Sequence, residues 1–165
     1  MSGRIKSSLG RSHYNKGGRL ELNREAFATL DHTREYYVFD IIPMGAVRMT
    51  QSDRWKTNPD HPDPKKRARK AVAAYFAFKT ALVLQANLLK FTLEDYLDAI
   101  YFIPMPDSWS EKKKKAMLGM PCKSRPDTDN ITKAVKDALL KEDSAVWWEK
   151  AEKRWAYKGS IILYK

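Results

Sequence analysis

Two carboxylates stand two residues apart in the segment Arg125-Pro126-Asp127-Thr128-Asp129-Asn130, just ahead of a helical pattern, in a chain otherwise rich in cations. Carboxylates repel nucleic acid, so a basic protein that keeps two together has either a compensating cation or a structural use for them. Mg²⁺ is a hard ion commonly held by one or two carboxylates with phosphate oxygens and water, and Asp127 and Asp129 offer those donor atoms. The same pattern fits Asp129 as a helix cap with Asp127 in a turn, and the local sequence leaves both readings open. Glu142 and Asp143 form a second acidic pair beyond the helix. A short turn can fold them back toward Asp127 only if the helix lies alongside the next strand. Lys133, one turn after Asp129, could contact the same phosphate or orient the carboxylate, or be an ordinary exposed lysine. Asp137, a further turn along, reads as a surface residue.

Other chemistry finds less support. His13, His32 and His61 lack metal-ligand spacing, and no P-loop, G-x-S-x-G or G-x-G-x-x-G sequence occurs. Cys122 has Lys123 beside it but no histidine partner for a nucleophile. As the only cysteine it excludes an intrachain disulfide and a cysteine-built zinc site, which fits a reducing, cytoplasmic setting.

Charge directs the choice of partner. In 165 residues, 31 Lys+Arg against 20 Asp+Glu leave a formal net charge of +11, so a polyanion is the first partner to consider. The cations placed to meet a nucleic-acid backbone are Arg48, Arg54 and Lys56, the run Lys112, Lys113, Lys114 and Lys115, and Arg125. Trp55, between two of them, could stack on a base or sugar or simply pack. The length suits one domain, and 43% hydrophobic residues are too many for a disordered chain. No run approaches the roughly 18 consecutive apolar residues of a membrane span, and the basic N-terminus has no apolar stretch of the secretory kind. Neither membrane insertion nor secretion is expected.

The elements that must position these groups follow from patterning. Residues 1–34 form a basic extension rich in Ser and Gly that reads as a flexible arm, with Leu20, Leu22, Phe27 and Leu30 able to pack if it is ordered. EYYVFDII, residues 35–42, predicts a strand stopped by Pro43, followed by a loop holding four prolines. Spacing predicts one long amphipathic helix from about Pro64 to Leu89, whose first turns are crowded with Lys65, Lys66, Arg67, Arg69 and Lys70 against the helix dipole. A second strand is expected over 92–103, and a short basic helix capped by Ser108 or Ser110 after it. A helix over 127–140, capped by Asp129 or Asn130, then leads to two closing strands joined near Tyr157 to Gly159. The expected fold is α+β, a small mixed sheet of about four strands against the long helix and the helix after Asp129.

These residues resemble the RusA family of Holliday junction resolvases, including phage-borne members. The resemblance rests on Pro126-Asp127-Thr128-Asp129-Asn130 opening a helix with Lys133-Ala134 and Asp137-Ala138-Leu139, then Glu142-Asp143-Ser144-Ala145-Val146. It extends to EKRW at Glu152–Trp155, PDSWSEKKKKAMLG at Pro106–Gly119, and VRMTQSDRWK and YFAFKTAL upstream, covering residues 36–165. The family implies a RusA-like fold and a homodimeric, Mg²⁺-dependent endonuclease, with Mn²⁺ as a substitute ion, that resolves four-way DNA junctions in recombination and repair in a bacterial or phage-infected cell. By position it implies Asp127, Asp129 and Asp143 as catalytic carboxylates, with Glu142 beside them as a further metal ligand and Lys133 as an activity lysine. Glu142 replaces a frequent Asp, and the link from Leu139 to the acidic pair is short compared with some members of the family. A binding protein on the same scaffold without cleavage, and a nuclease for other branched DNA, are the competing readings.

Overall fold

The computed structural model describes residues 12–14, 23–56 and 58–165, with backbone only at 12–14 and at Asp143. Five strands form one mixed sheet: β1 (Ser12–Tyr14), β2 (Tyr36–Phe39), β3 (Tyr96–Pro104), β4 (Trp148–Ala156) and β5 (Ser160–Tyr164), in the order β1-β2-β5-β3-β4. The helices are α1 (Arg24–Phe27), α2 (Lys70–Leu89), α3 (Glu111–Met117) and α4 (Thr128–Leu139). The architecture is α+β, with α2 and α4 as the two main helices.

The closing strands do not pair with each other. β3 lies between them, parallel to β4 (Tyr101 opposite Lys153) and antiparallel to β5 (Tyr101 opposite Ile161). Their link must therefore cross the end of β3, and it passes so close to β2's exit that a Cβ on Gly159 would sit 2.7 Å from the Ile42 Cα. The segment SAVWWEKAEKRW, which reads as the first closing strand, enters it late: Ser144 and Ala145 belong to a 3-10 turn (Asp143–Ala145) and β4 begins at Trp148.

Alternation sorts the strands onto two faces. Tyr37, Phe39, Leu97, Tyr101, Ile161 and Leu163 point into the main core with Tyr75, Phe78 and Leu82 of α2 and Ile131, Ala134 and Val135 of α4. Tyr36, Val38, Ile100, Phe102, Ile162 and Tyr164 face the opposite side, where Ala26 and Leu30 cover them. Thus the last part of the basic extension packs. Buried Asn23 clamps the β4–β5 link by donating to the Lys158 carbonyl at 2.8 Å and accepting the Lys158 N–H at 3.1 Å. The rest of that extension, including Leu20 and Leu22, lies outside the described residues except for β1.

Two features of the long helix differ from the sequence expectation. It begins at Lys70 with Arg69 as its cap, after a separate 3-10 turn at Pro64–Lys66, so Lys65, Lys66 and Arg67 precede the helix and escape its dipole. Nor is it amphipathic. Opposite the buried stripe of Val72, Tyr75, Phe78, Leu82 and Ala86 runs an outward one of Ala74, Ala77, Ala81, Leu84 and Leu88, with Leu84 58% and Leu88 70% exposed. By length and composition α2 could cross a membrane, but its inner stripe is part of the core.

Candidate active site

The N-terminus of α4 carries the carboxylate pair. Asp127 occupies the cap position in extended backbone (φ −69°, ψ 150°), yet its side chain makes no capping hydrogen bond. Asp129, in the first turn, is exposed and likewise engages no hydrogen bond or ion pair among the described residues. The capping reading is therefore corrected twice: the cap is Asp127 and not Asp129 or Asn130, and no side chain performs that role. Lys133 is exposed one turn along, also without a partner among the described residues.

Three contacts fix this helix end. Thr132 donates its single hydroxyl proton to the Thr128 carbonyl at 2.9 Å and so accepts the buried Tyr101 hydroxyl of β3 at 3.0 Å, a contact of about 1 kcal/mol. On one side the loop after β2 closes in, with the Ala46 N–H donating to the Asn130 carbonyl at 3.0 Å. The approach is close before it, since a Cβ on Gly45 would fall 2.5 Å from the Asn130 Nδ2 and 3.1 Å from the Pro126 Cβ, so a larger residue there would have to displace the Asn130 side chain. On the other side Lys153 of β4 donates from its Nζ to the carbonyls of Ser124 (2.6 Å) and Pro126 (2.7 Å). Between those acceptors the Arg125–Pro126 peptide is cis. Arg125, Pro126, Asp127 and Asn130 line an open groove of about 550 Å³.

The second acidic pair stands elsewhere. Glu142 lines another open cleft, of about 450 Å³, with Lys79, Asp137, Leu140, Lys141 and Ser144. Asp137 is half-buried rather than a free surface residue and accepts the Tyr75 hydroxyl at 2.9 Å. Burial, and then that carboxylate, pushes the Tyr75 phenol well up. Asp137 is eight residues past Asp129, about 12 Å of helical rise, whereas oxygens on one Mg²⁺ lie within a few ångströms of each other. Within one chain Glu142 and the Asp127–Asp129 pair thus serve different clefts. Asp143 opens the 3-10 turn Asp143–Ala145, and its side chain lies outside the described residues. Among the described residues no three of His, Cys, Asp and Glu converge as a metal cluster.

The expected DNA contacts divide into available and engaged cations. Arg48 and Arg54 are exposed and Lys56 half-buried, all without ion-pair partners among the described residues, and Trp55 between them is 86% exposed and so is not a packing residue. Arg125 is exposed in the groove. In α3, capped by Ser110, Lys113 lies 4.0 Å from the Trp109 ring centroid and Lys114 pairs with Glu111 at 3.4 Å, whereas Lys112 and Lys115 are exposed and unpaired among the described residues.

Sequence reasoning missed the device that holds the Arg48–Lys56 loop. Asp53 is buried, accepts Arg69 through Nε (3.1 Å) and Nη2 (2.6 Å), and accepts the Thr50 N–H (2.7 Å) and hydroxyl (2.8 Å). Arg69 also donates to the Arg48 carbonyl at 2.9 Å. A Thr-x-x-Asp capping box at residues 50–53 was the available local signal, but nothing local announced Arg69. Hydrogen bonds from Arg69 and then Thr50 hold the Asp53 carboxyl well below its ordinary range. A depressed carboxyl stabilises the folded state above its unfolded value of 3.8 and loses that contribution as pH falls through the lower folded value. Asp53→Asn should therefore melt below wild type at pH 7, with the gap narrowing as pH falls below about 4 and closing only once the depressed folded value is passed. A gap that does not narrow in acid would exclude this ion pair as its cause.

Comparison with known proteins fits this geometry. The family model described as Endodeoxyribonuclease RusA matches residues 43–163, a span holding the carboxylate pair, the acidic turn, α2, α3 and the anchored loop. Comparisons with curated proteins and with solved structures found no match. With most of its length matched, including every element that shapes the groove at Asp127, the chain belongs to the RusA endodeoxyribonuclease family.

Proposed function

We propose that this chain is a Mg²⁺-dependent, structure-selective endodeoxyribonuclease that resolves four-way DNA junctions as a homodimer by paired symmetric cuts. The observation that carries the reading is the idleness of Asp127 and Asp129: two exposed carboxylates at a helix start, neither capping nor paired among the described residues, with Arg125 lining the same groove as Asp127. Their hard oxygen donors suit Mg²⁺, which when bound activates water and offsets charge on the scissile phosphate. Lys133 presents an ammonium one turn from Asp129, where it can stabilise growing negative charge on the phosphate. Arg125, in the groove beside Asp127, can hold the strand in place.

Homodimerisation is supported by the outward stripe of α2. Its positions 74, 77, 81, 84 and 88 repeat with three- and four-residue spacing and carry no charge, a seam that seeks another helix. Antiparallel pairing about a two-fold axis near Ala81 sets Leu84 and Leu88 against Ala77 and Ala74 of a second copy, large against small. A two-fold dimer carries two sites for the two cuts that a junction requires. In this arrangement Glu142 and Asp143 would reach an ion held by Asp127 and Asp129 from the other copy, since their own lie at the far end of α4.

Cleavage of a labelled mobile four-way junction in Mg²⁺, beside forked, flapped and linear DNA, tests the reading. Paired symmetric nicks confined to the junction are expected. Equal cutting of every branched substrate would mean a broader nuclease, and binding without cutting would mean a junction-binding protein. For the interface, Lys112→Gln with Lys115→Gln should weaken binding and flatten its log–log salt slope by about 0.9 for each phosphate no longer neutralised. The engaged Lys114 should matter less, and an unchanged slope in the double variant would remove α3 from the DNA surface.

A further inference from the structure

We propose that Lys153 is a positioning residue that sets how Asp127 presents its carboxylate to the divalent cation, a proposal that rests on the metal-nuclease reading above. Lys153 sits in the middle of β4, directly opposite Tyr101 in the parallel ladder. Lateral neighbours in a sheet share a face. Tyr101 grips α4 through Thr132, while Lys153 grips the segment that enters α4 through the Ser124 and Pro126 carbonyls. The Lys153 carbonyl also accepts the Cys122 N–H at 2.9 Å, so one residue ties the incoming chain at three points. Pro126 is the residue immediately before Asp127, and its carbonyl belongs to the peptide plane from which Asp127 projects.

The choice of a lysine has a physical reason. Ordering a long side chain sacrifices rotamer entropy, and charge-assisted bonds of 2.6 and 2.7 Å are strong enough to offset it. Among the described residues Nζ touches no carboxylate, so its charge is directed wholly at the two carbonyls. Mg²⁺ requires near-ideal octahedral geometry at about 2.0–2.1 Å, so a ligand on an untethered loop would satisfy it poorly. A clamp on the backbone, not on the carboxylate itself, leaves both Asp127 oxygens free for the ion.

The test compares full-length wild type, Lys153→Met, which keeps the chain length without donors, and Lys153→Arg, which restores donors. Mg²⁺ binding is followed through the amide NMR shifts of Asp127–Ile131, beside cleavage rate, melting temperature and junction affinity in EDTA. Lys153→Met is expected to weaken Mg²⁺ binding and slow cleavage by about 10–100-fold each, with junction affinity unchanged and partial recovery in Lys153→Arg. Wild-type Mg²⁺ binding retained in Lys153→Met overturns the Lys153 proposal alone. So does a uniform loss of melting temperature and DNA affinity with no change in Mg²⁺ affinity, the mark of a merely structural lysine. A wild-type protein that shows no Mg²⁺-dependent shift at these amides and cuts no DNA overturns the nuclease reading itself.

Discussion

Asp127→Asn is expected to slow junction cleavage by at least about 10³-fold, with junction binding in EDTA retained or tightened. In the proposed mechanism a bound Mg²⁺ would contribute several kcal/mol of transition-state stabilisation, and each 1.36 kcal/mol is worth a factor of ten in rate. An amide keeps the shape of the side chain but is a weak ligand for a hard cation, and it removes a negative charge that repels the phosphate. Stability provides the internal control. Because Asp127 makes no capping bond, even Asp127→Ala should melt close to wild type, where loss of a working cap costs about 1 kcal/mol. Mg²⁺ should raise the melting temperature of wild type and not of the variants. Cleavage at a normal rate by Asp127→Asn would remove this carboxylate from the metal site, and a marked fall in the stability of Asp127→Ala would restore the capping role.

Leu84→Glu with Leu88→Glu should convert the proposed dimer to a folded monomer and eliminate paired cuts. Both side chains already face solvent in the single chain, so charge there leaves the inner stripe of α2 and the core intact. In an isologous interface each substitution occurs twice, placing four carboxylates on one apolar seam without compensating cations. Light scattering should show half the wild-type mass. Junction cleavage should fall at least as far as in a single-ligand variant if the acidic turn of one copy serves the carboxylates of the other. A double variant that remains dimeric would move the interface away from α2, and a monomer that still makes paired cuts would remove the need for a dimer.

Much of the scaffold was legible because its signals are local. The β-branched and aromatic run EYYVFDII ahead of Pro43 and the alternation in TLEDYLDAIYFI marked strands, and successive apolar residues are accommodated because they point to opposite faces of a sheet covered on both. A serine cap at Ser108 or Ser110 and the spacing of Ile131, Val135, Ala138 and Leu139 marked α3 and α4 for equally local reasons. The long helix was found but misread at both its start and its outer face. Lys65–Lys66 and Lys70 are contiguous in composition, and only the extended backbone at Arg67 and Arg69 separates the 3-10 turn from α2. An apolar outer stripe also looks in sequence like surplus core material until the sheet shows which side is filled.

By itself, the sequence determined the α+β class, the strongly basic character, and the Asp127–Asp129 pair that opens α4, because composition, period and short motifs are properties of neighbouring residues. Only the tertiary structure decided that β3 divides the closing strands, that Lys153 holds the entrance to α4 from 27 residues away, and that Arg69 anchors the Arg48–Lys56 loop through Asp53. It also decided that Glu142 lines, with Asp137, a different cleft from the one at Asp127. Each of these depends on the path of the backbone through the sheet and on the rise of a rigid helix, which bring together or hold apart groups whose separation along the chain carries no such information.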